Sequence, residues 1–518
     1  MKKVLSIAIA IALLPVAANG AQWTAPKDAF KDSPSGLNIV DSFFNTGESI
    51  SRIEITDSSF KATNYVYRLC EQMDVAPCDG SLPNSQISLS EVLPPCTSEI
   101  LEWCIEGLSI YNKDNVTTNA SLLRSTAGPI LKKHVPSGMP QGGTVSLWKA
   151  PGQINSGGTD TYAVYLNLMG NASGVGNFNF NNIRAMVLPY SELKGDQYID
   201  GNVQVFENPS GIKQIGISGG QIECAWTEKG LCGFIEDFPT NSRVNLRIRV
   251  GNNLSGWMMG RMADPKVIVS QVSATQNLLS IDSEPIDVPK FFVSVPRSSL
   301  TPEISAIDPS IRDGVMTLHN QLASQTDFAL ATAWAKFTDD KAAGKYSVWS
   351  LMSTANGQGS DCLRSTTKVV GIVTTNAAIY EGNAPNFQDG SLMYRVWSQH
   401  YAADGSVFKG KYDLVMRSEA ARCLYGFSAA PLSASISITS NDGTSQVATT
   451  VLNEANGWLH LGANGFTFSN PTIKVTLNQA KSSQAIVTQN KQIICVKGKL
   501  KKTVKGTSPK CPTGYKKA

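Results

Sequence analysis

From about residue 143 onward, apolar and polar residues alternate along the chain. The clearest run is 243–250. Val244, Leu246, Ile248 and Val250 fall on one side, and Arg243, Asn245, Arg247 and Arg249 on the other. A period of two is what a strand with one buried face requires. Residues 144–148, 162–168, 267–269 and 291–295 carry further strand patterns, which return at 347–352, 369–374, 392–397, 412–416, 434–438, 446–452, 458–461 and 473–477. Asn441-Asp442-Gly443 adds a hairpin-turn signal. Between the two groups the period changes. Val315, Leu318 and Leu322 recur at helical spacing, as do Leu330, Trp334 and Phe337, and Pro302 suits a first helical turn. Short strands punctuated by Gly, Asn and Asp predict a mainly β protein. The expected fold is two β-sandwich-like domains, 143–298 and 345–478, with a short helical connector, 299–344, between them.

Residues 22–142 show no such regularity and are expected to form an irregular, Cys-containing N-terminal region. Within it, 90–111 around Trp103 predicts a short helix or a stapled loop. A polar linker, 479–490, leads to 491–518, a basic tail expected to be a small stapled hairpin about Gly498. With 518 residues, 42% hydrophobic and only 17% charged, the chain suits packed cores rather than disorder, and its length suits two to four domains.

The N-terminus changes the setting. Lys2 and Lys3 precede an apolar run at 4–18, and Ala18-Asn19-Gly20 offers small residues for cleavage. Residues 1–21 are therefore expected to be a secretory signal peptide. No later segment reaches spanning length, so no transmembrane segment is expected after cleavage. An oxidising compartment makes disulfides the default for ten cysteines. Cys70/Cys78, Cys96/Cys104 and Cys224/Cys232 share one separation, Cys495/Cys511 close the tail, and Cys362/Cys423 remain for each other. The first four cysteines admit three pairings, and spacing does not choose among them; the local scheme is preferred because it joins every cysteine without long crossings. There is no C-x-x-C and no H-x-x-x-H, and His134, His319, His400 and His460 stand far apart, so neither metal nor cofactor is expected.

Charge divides the chain. Residues 481–518 hold ten lysines and no Asp or Glu. The whole chain is +4, and without Lys2, Lys3 and those ten lysines residues 4–480 carry −8. A mildly acidic body is unlike a nucleic-acid binder. The tail suits phosphate or carboxylate partners, with Lys497, Lys499, Lys501, Lys502, Lys505 and Lys510 as candidate contacts. Its bland counterpart is a solubilising run.

Other chemistry is weaker. Gly216-Ile217-Ser218-Gly219-Gly220 fits G-x-S-x-G, but a further strand pattern follows where an esterase places a helix. Glu228, Glu236 and Asp237 are acids with no motif pairing them. Trp148, Trp349 and Trp397 fall within strands and are expected in cores. Trp257 and Trp458, each after a glycine, are the candidate sugar-stacking rings.

Several segments resemble those of a known group. Val373-Thr374-Thr375-Asn376, Tyr380-Glu381-Gly382-Asn383-Ala384-Pro385 and the run 412–427 resemble a module of uncharacterised secreted actinobacterial proteins, as do Gly457-Trp458-Leu459 and 465–469. Cys224-Ala225-Trp226-Thr227-Glu228 and 256–262 are similar to another segment of such proteins, and 495–517 to a C-terminal element appended to many of them. The resemblance implies export and modularity and brings no activity. The expected function is thus an exported, non-enzymatic surface protein, held to an anionic cell-envelope polymer or surface glycan by its tail. The rivals are a secreted hydrolase of polysaccharides or esters, and a self-assembling surface-layer or appendage subunit.

Overall fold

The computed structural model describes residues 34–41, 51–57, 67–70, 72–75, 78–79, 85–112, 116–173, 178–196, 203–207, 213–217, 224–252, 254–308, 314–319, 324–353, 361–363, 369–428, 432–439, 445–446, 449–468, 472–479, 491–506 and 508–518. The signal-peptide segment, most of the linker, the 441–443 turn, Leu322 and Ser218 lie outside these.

The chain is mainly β, arranged in layers around one long sheet. Its ladder runs Tyr67–Cys70, Arg52–Asp57, Ser85–Val92, Thr161–Ser173, Asn179–Lys194, Gly344–Ser353, Gly256–Arg261, Val369–Thr375, Lys409–Arg417, Trp458–Thr467 and Thr449–Ala455. Most pairs are antiparallel, but Gly256–Arg261 runs parallel to Val369–Thr375. Every residue of Val369–Thr375 is buried, as are the last seven of Gly344–Ser353. Strands covered on both faces read as apolar runs rather than alternations.

Two covers account for this. A five-stranded sheet, which includes Cys104–Asn112, Ser242–Gly251 and Gln276–Glu284, lies on one face. Its Leu108, Val244, Leu246, Ile248 and Ile281 meet Val164, Leu166, Ile183, Trp349 and Ile372 of the long sheet in one core. On the other face a six-stranded sheet, with Ser391–Trp397, Leu432–Thr439 and Thr472–Gln479, brings Leu392, Tyr394, Ile438 and Val475 against Tyr165, Met186, Leu414 and Leu461. Two sandwich-like cores therefore share a sheet. The pairing of Asn179–Lys194 with Gly344–Ser353 crosses the expected division at 299–344, because each half needs the other to cover its buried strands. Trp148, Trp349 and Trp397 are core residues as expected.

Two segments depart from the sequence pattern. The N-terminal region is not irregular: Pro34–Val40, Arg52–Asp57, Ser85–Val92 and Cys104–Asn112 are strands. Three of them pair with segments far along the chain, Ile286–Pro296, Thr161–Ser173 and Ser242–Gly251, and local periodicity does not reveal such partners. Residues 90–111 are the end of one strand, a loop closed by the Cys96–Cys104 bridge, and a strand paired with Ser242–Gly251. In the connector, Gly314–His319 is a strand, parallel to Pro34–Val40, and not the helix that Val315 and Leu318 suggested. Met316 and Leu318, two residues apart, pack against the core opposite Leu37 and Ile39, and pairing with the edge of Pro34–Val40 decides. The helices Pro302–Ile307 and Gln325–Ala335 flank it. Pro302 stands in the first turn behind a Thr301 cap, and Ser324 and Asp327 form a reciprocal capping box. Leu330 and Trp334 are buried against Leu37, Phe291 and Trp397.

One ion pair lies at the crossing of these elements. Arg261 ends the central strand and is fully buried. Its Nε donates to Asp41 Oδ2 at 2.9 Å, its Nη1 to the carbonyls of Thr375 (3.0 Å) and Ala377, and its Nη2 to Ala378 O at 3.3 Å. The guanidinium also covers the Tyr380 ring at 4.5 Å. Glu91 is a second buried charge-bearing group, with neither carboxyl oxygen hydrogen-bonded. It shares a face with Ile87 and Leu89, and a Cβ at Gly142 would lie 2.8 Å from Glu91 Oε1, so a side chain there would displace the carboxyl group. Burial holds the Glu91 carboxyl well above the usual carboxylate range.

Two outcomes follow from these groups. Asp41→Ala strands a buried guanidinium and should cost about 3–5 kcal/mol in denaturant unfolding; a loss under about 1 kcal/mol would show the pair to be dispensable. For Glu91 the folded state binds its proton more tightly than the unfolded state. Its stabilisation is complete below the unfolded value of about 4.3 and is lost as pH rises toward the native value. Glu91→Gln should therefore match wild type in melting temperature near about pH 4 and exceed it increasingly toward about pH 8. A difference independent of pH would contradict a protonated native Glu91.

Candidate functional site

The lysine-rich tail folds as a three-stranded sheet of Lys491–Lys497, Leu500–Gly506 and Lys516–Lys517. Gly498 opens the hairpin turn at φ 58°, a conformation that favours glycine. Cys495 is buried and bridged to Cys511, with Cα atoms 5.6 Å apart. So small a sheet has little core of its own, which is why the staple matters.

The register gathers the charge. Val496 stands opposite Lys501 on one side and Lys516 on the other, and Cys495 opposite Lys502 and Lys517. Opposed residues share a face. One face therefore carries Lys501, Lys505 and Lys516, and the other Lys497, Lys502 and Lys517. All six are exposed, as are Lys499 in the turn and Lys510 in the closing loop. Strands stand roughly 4.8 Å apart, so like charges lie within a Debye length and repel one another. The stretch contains no acidic side chain to neutralise them. An external polyanion would relieve that repulsion.

The two tryptophan candidates part company. Trp257 is not a surface ring: it is 1% exposed, and its Nε1 donates to Leu363 O at 3.0 Å. It lies in the central strand Gly256–Arg261, whose two faces are both covered, so a ring there enters a core. Trp458 is half-buried at the start of Trp458–Thr467, and the Arg417 guanidinium lies 4.8 Å from its ring centre. Arg417 also lines a hollow of about 320 Å³ with Asn252, Gln271 and Asn277.

The candidate acids already hold donors. Glu228 accepts from Arg124 at 2.9 and 3.2 Å and from the Ala127 amide. Glu236 accepts from Ser156 and Ser191, and Asp237 from the Ser347 amide at 3.1 Å. Each ties neighbouring segments together. The G-x-S-x-G run begins at the end of Lys213–Ile217, a hairpin strand paired with Val203–Glu207.

Two arrangements escaped sequence reasoning. His134 Nε2 lies 2.7 Å from Asp74 Oδ1, and its Nδ1 2.8 Å from Ser137 Oγ. Ser137 is 1% exposed and three residues from His134, so this chain locks the Val135–Ser137 turn and offers a substrate no nucleophile. His460 lies 2.8 Å from Asp413 and 3.7 Å from Asp264, which also pairs with Arg243 at 2.8 Å. That network joins the five-stranded sheet to the long sheet. Only spacing over hundreds of residues links its members, and no local signal marks it. Among the described residues no group of three or more His, Cys, Asp or Glu could hold a metal ion, and no helix is long and apolar enough to cross a membrane.

All five expected cystines are present: Cys70–Cys78, Cys96–Cys104, Cys224–Cys232, Cys362–Cys423 and Cys495–Cys511. Compared with protein-family models, curated proteins and solved structures, the chain matches none.

Opening the terminal bridge tests its role. A loop of this size contributes about 3 kcal/mol in the chain-entropy account. Cys495→Ser with Cys511→Ser should speed cleavage within 491–518 by a lysine-directed protease more than about tenfold, leaving the melting transition of the body in place. Equal cleavage rates would show that the strands hold the tail without the bond.

Proposed function

We propose that this chain is an exported, non-enzymatic surface protein whose layered β body presents a binding or structural face, and whose terminal sheet holds it to an anionic envelope polymer. The observation that carries the reading is the register of the terminal sheet, which places exposed lysines on both of its faces with no acid in the segment. Lysine ammonium groups are compact point charges, suited to phosphate or carboxylate repeats whose spacing varies. A flexible polymer can contact both faces at once, so several weak contacts add.

Two further observations support this reading. Five disulfides staple loops and hairpins, as expected of a protein that matures in an oxidising compartment. The body and tail also carry opposite charge, so the anion-seeking region is confined to one end of the chain. Its field extends only about 8–10 Å at physiological salt, which makes attachment a contact event sensitive to ionic strength.

The experiment is salt elution from beads bearing poly(glycerol phosphate). Full-length protein should be retained at low salt and released as salt rises. A variant with Lys501→Gln, Lys502→Gln, Lys516→Gln and Lys517→Gln should elute at roughly half that salt or less, because each lost contact flattens the salt dependence. Elution of both proteins at the same salt would remove the tail from the attachment.

A further inference from the structure

A polar hollow of about 310 Å³ opens on the long sheet, far from the tail in sequence. Its floor is four adjacent strands: Arg52–Asp57, Ser85–Val92, Thr161–Ser173 and Asn179–Lys194. The register sets the lining in two rows. Arg52 stands opposite Ser90, Ser90 opposite Met169, and Met169 opposite Asn182; Glu54 stands opposite Ser88, and Ser88 opposite Asn171. On the reverse face Ile53, Ile55, Ile87 and Leu89 pack into the small core that contains Cys70 and Cys78, which makes the floor rigid.

The lining points to the chemistry of a ligand. Arg52 and Glu54 are ion-paired side by side and only 14% and 19% exposed. Their charges cancel within the hollow, so it attracts neither an anion nor a cation, yet it offers charge-assisted donors and acceptors. Ser88 donates to Asn171 Oδ1 at 3.1 Å, and Asn171 stands at the exposed rim. Asn182 Oδ1 is buried in the wall and accepts no hydrogen bond. Met169 and Gly170 add a small apolar patch. The volume lies at the lower end of small-molecule sites, roughly 300–1,000 Å³.

We propose that this hollow binds one neutral sugar unit of a glycan. Sugar hydroxyls both donate and accept, and so match a lining that mixes guanidinium, carboxylate, amide and hydroxyl groups. The C–H side of the ring has Met169 to rest on. This site is separate from the polyanion attachment of the terminal sheet and does not depend on it.

The test is saturation-transfer NMR on the full chain with glucose, galactose, mannose and N-acetylglucosamine, in about 0.5 M salt to silence the tail. Glucuronate and inorganic phosphate serve as charged controls. At least one neutral sugar should receive transfer, and the controls should not. Glu54→Gln and Asn171→Ala should each weaken that binding about tenfold. Asn171 lies at the exposed rim, so its variant keeps the fold even if the Glu54 variant does not. The four-lysine tail variant should bind the sugar as wild type does. Absence of transfer from every neutral sugar, stronger transfer to a charged control, or unchanged binding in Asn171→Ala overturns the proposal.

Discussion

The buried pairing of Arg261 with Asp41 is the constraint on which the layered body depends. Asp41 follows the N-terminal strand Pro34–Val40, Arg261 closes the central strand Gly256–Arg261, and its remaining donors reach carbonyls at 375–378. Three parts of the chain more than a hundred residues apart thus meet on one guanidinium. A charge taken fully out of water is tolerated only with its partner and its hydrogen bonds in place. The planar fork supplies several donors in fixed directions, which is why arginine rather than lysine serves here. A slip in register of the central strand would strand the charge.

Around that point the sheet is built to be covered. Long strands change partners along their length. Asn179–Lys194 pairs with Thr161–Ser173, then with Leu231–Ile235, and along its other edge with Gly344–Ser353. Such strands bend from one layer into the next and tie the two cores together. The disulfides play a different part. Three close local loops or hairpins, and Cys362–Cys423 fixes the 361–363 turn to the helix Ser418–Tyr425. They secure the margins, while apolar burial holds the centre. Only in the terminal sheet, with little to bury, does a bridge carry the fold.

The molecule therefore separates its charge physically. A rigid, mildly acidic body gives a stable frame on which a polar sheet face is held open. A small cationic sheet, whose lysines have no acid of their own segment, faces outward. The acids that sequence alone offers as catalytic candidates hold partners within the fold: Glu228 with Arg124, Glu236 with two serines, Asp237 with a backbone amide. The Asp74–His134–Ser137 chain has the residue types of a hydrolytic triad but buries its hydroxyl in a turn. Residue types in contact make a site only when the reacting atom is accessible.

What the sequence by itself determined is local. The period of two in 243–250, the helical spacing of Leu330 and Trp334, the equal cysteine separations, and the cationic run about Gly498 all depend on neighbours along the chain, and the corresponding elements stand where the pattern puts them. Only the tertiary structure decided what depends on partners. Trp257 follows a glycine, as Trp458 does, yet one lies in a strand covered on both sides and the other at a hairpin edge. Val315 and Leu318 fit a helix until the parallel edge of Pro34–Val40 makes them a strand. The short N-terminal strands, the sheet shared between two cores, the buried Glu91 and the polar hollow arise from pairing between segments remote in sequence. Backbone hydrogen bonds across a sheet carry no periodicity of their own partner, so nothing along the chain announces which strands will meet.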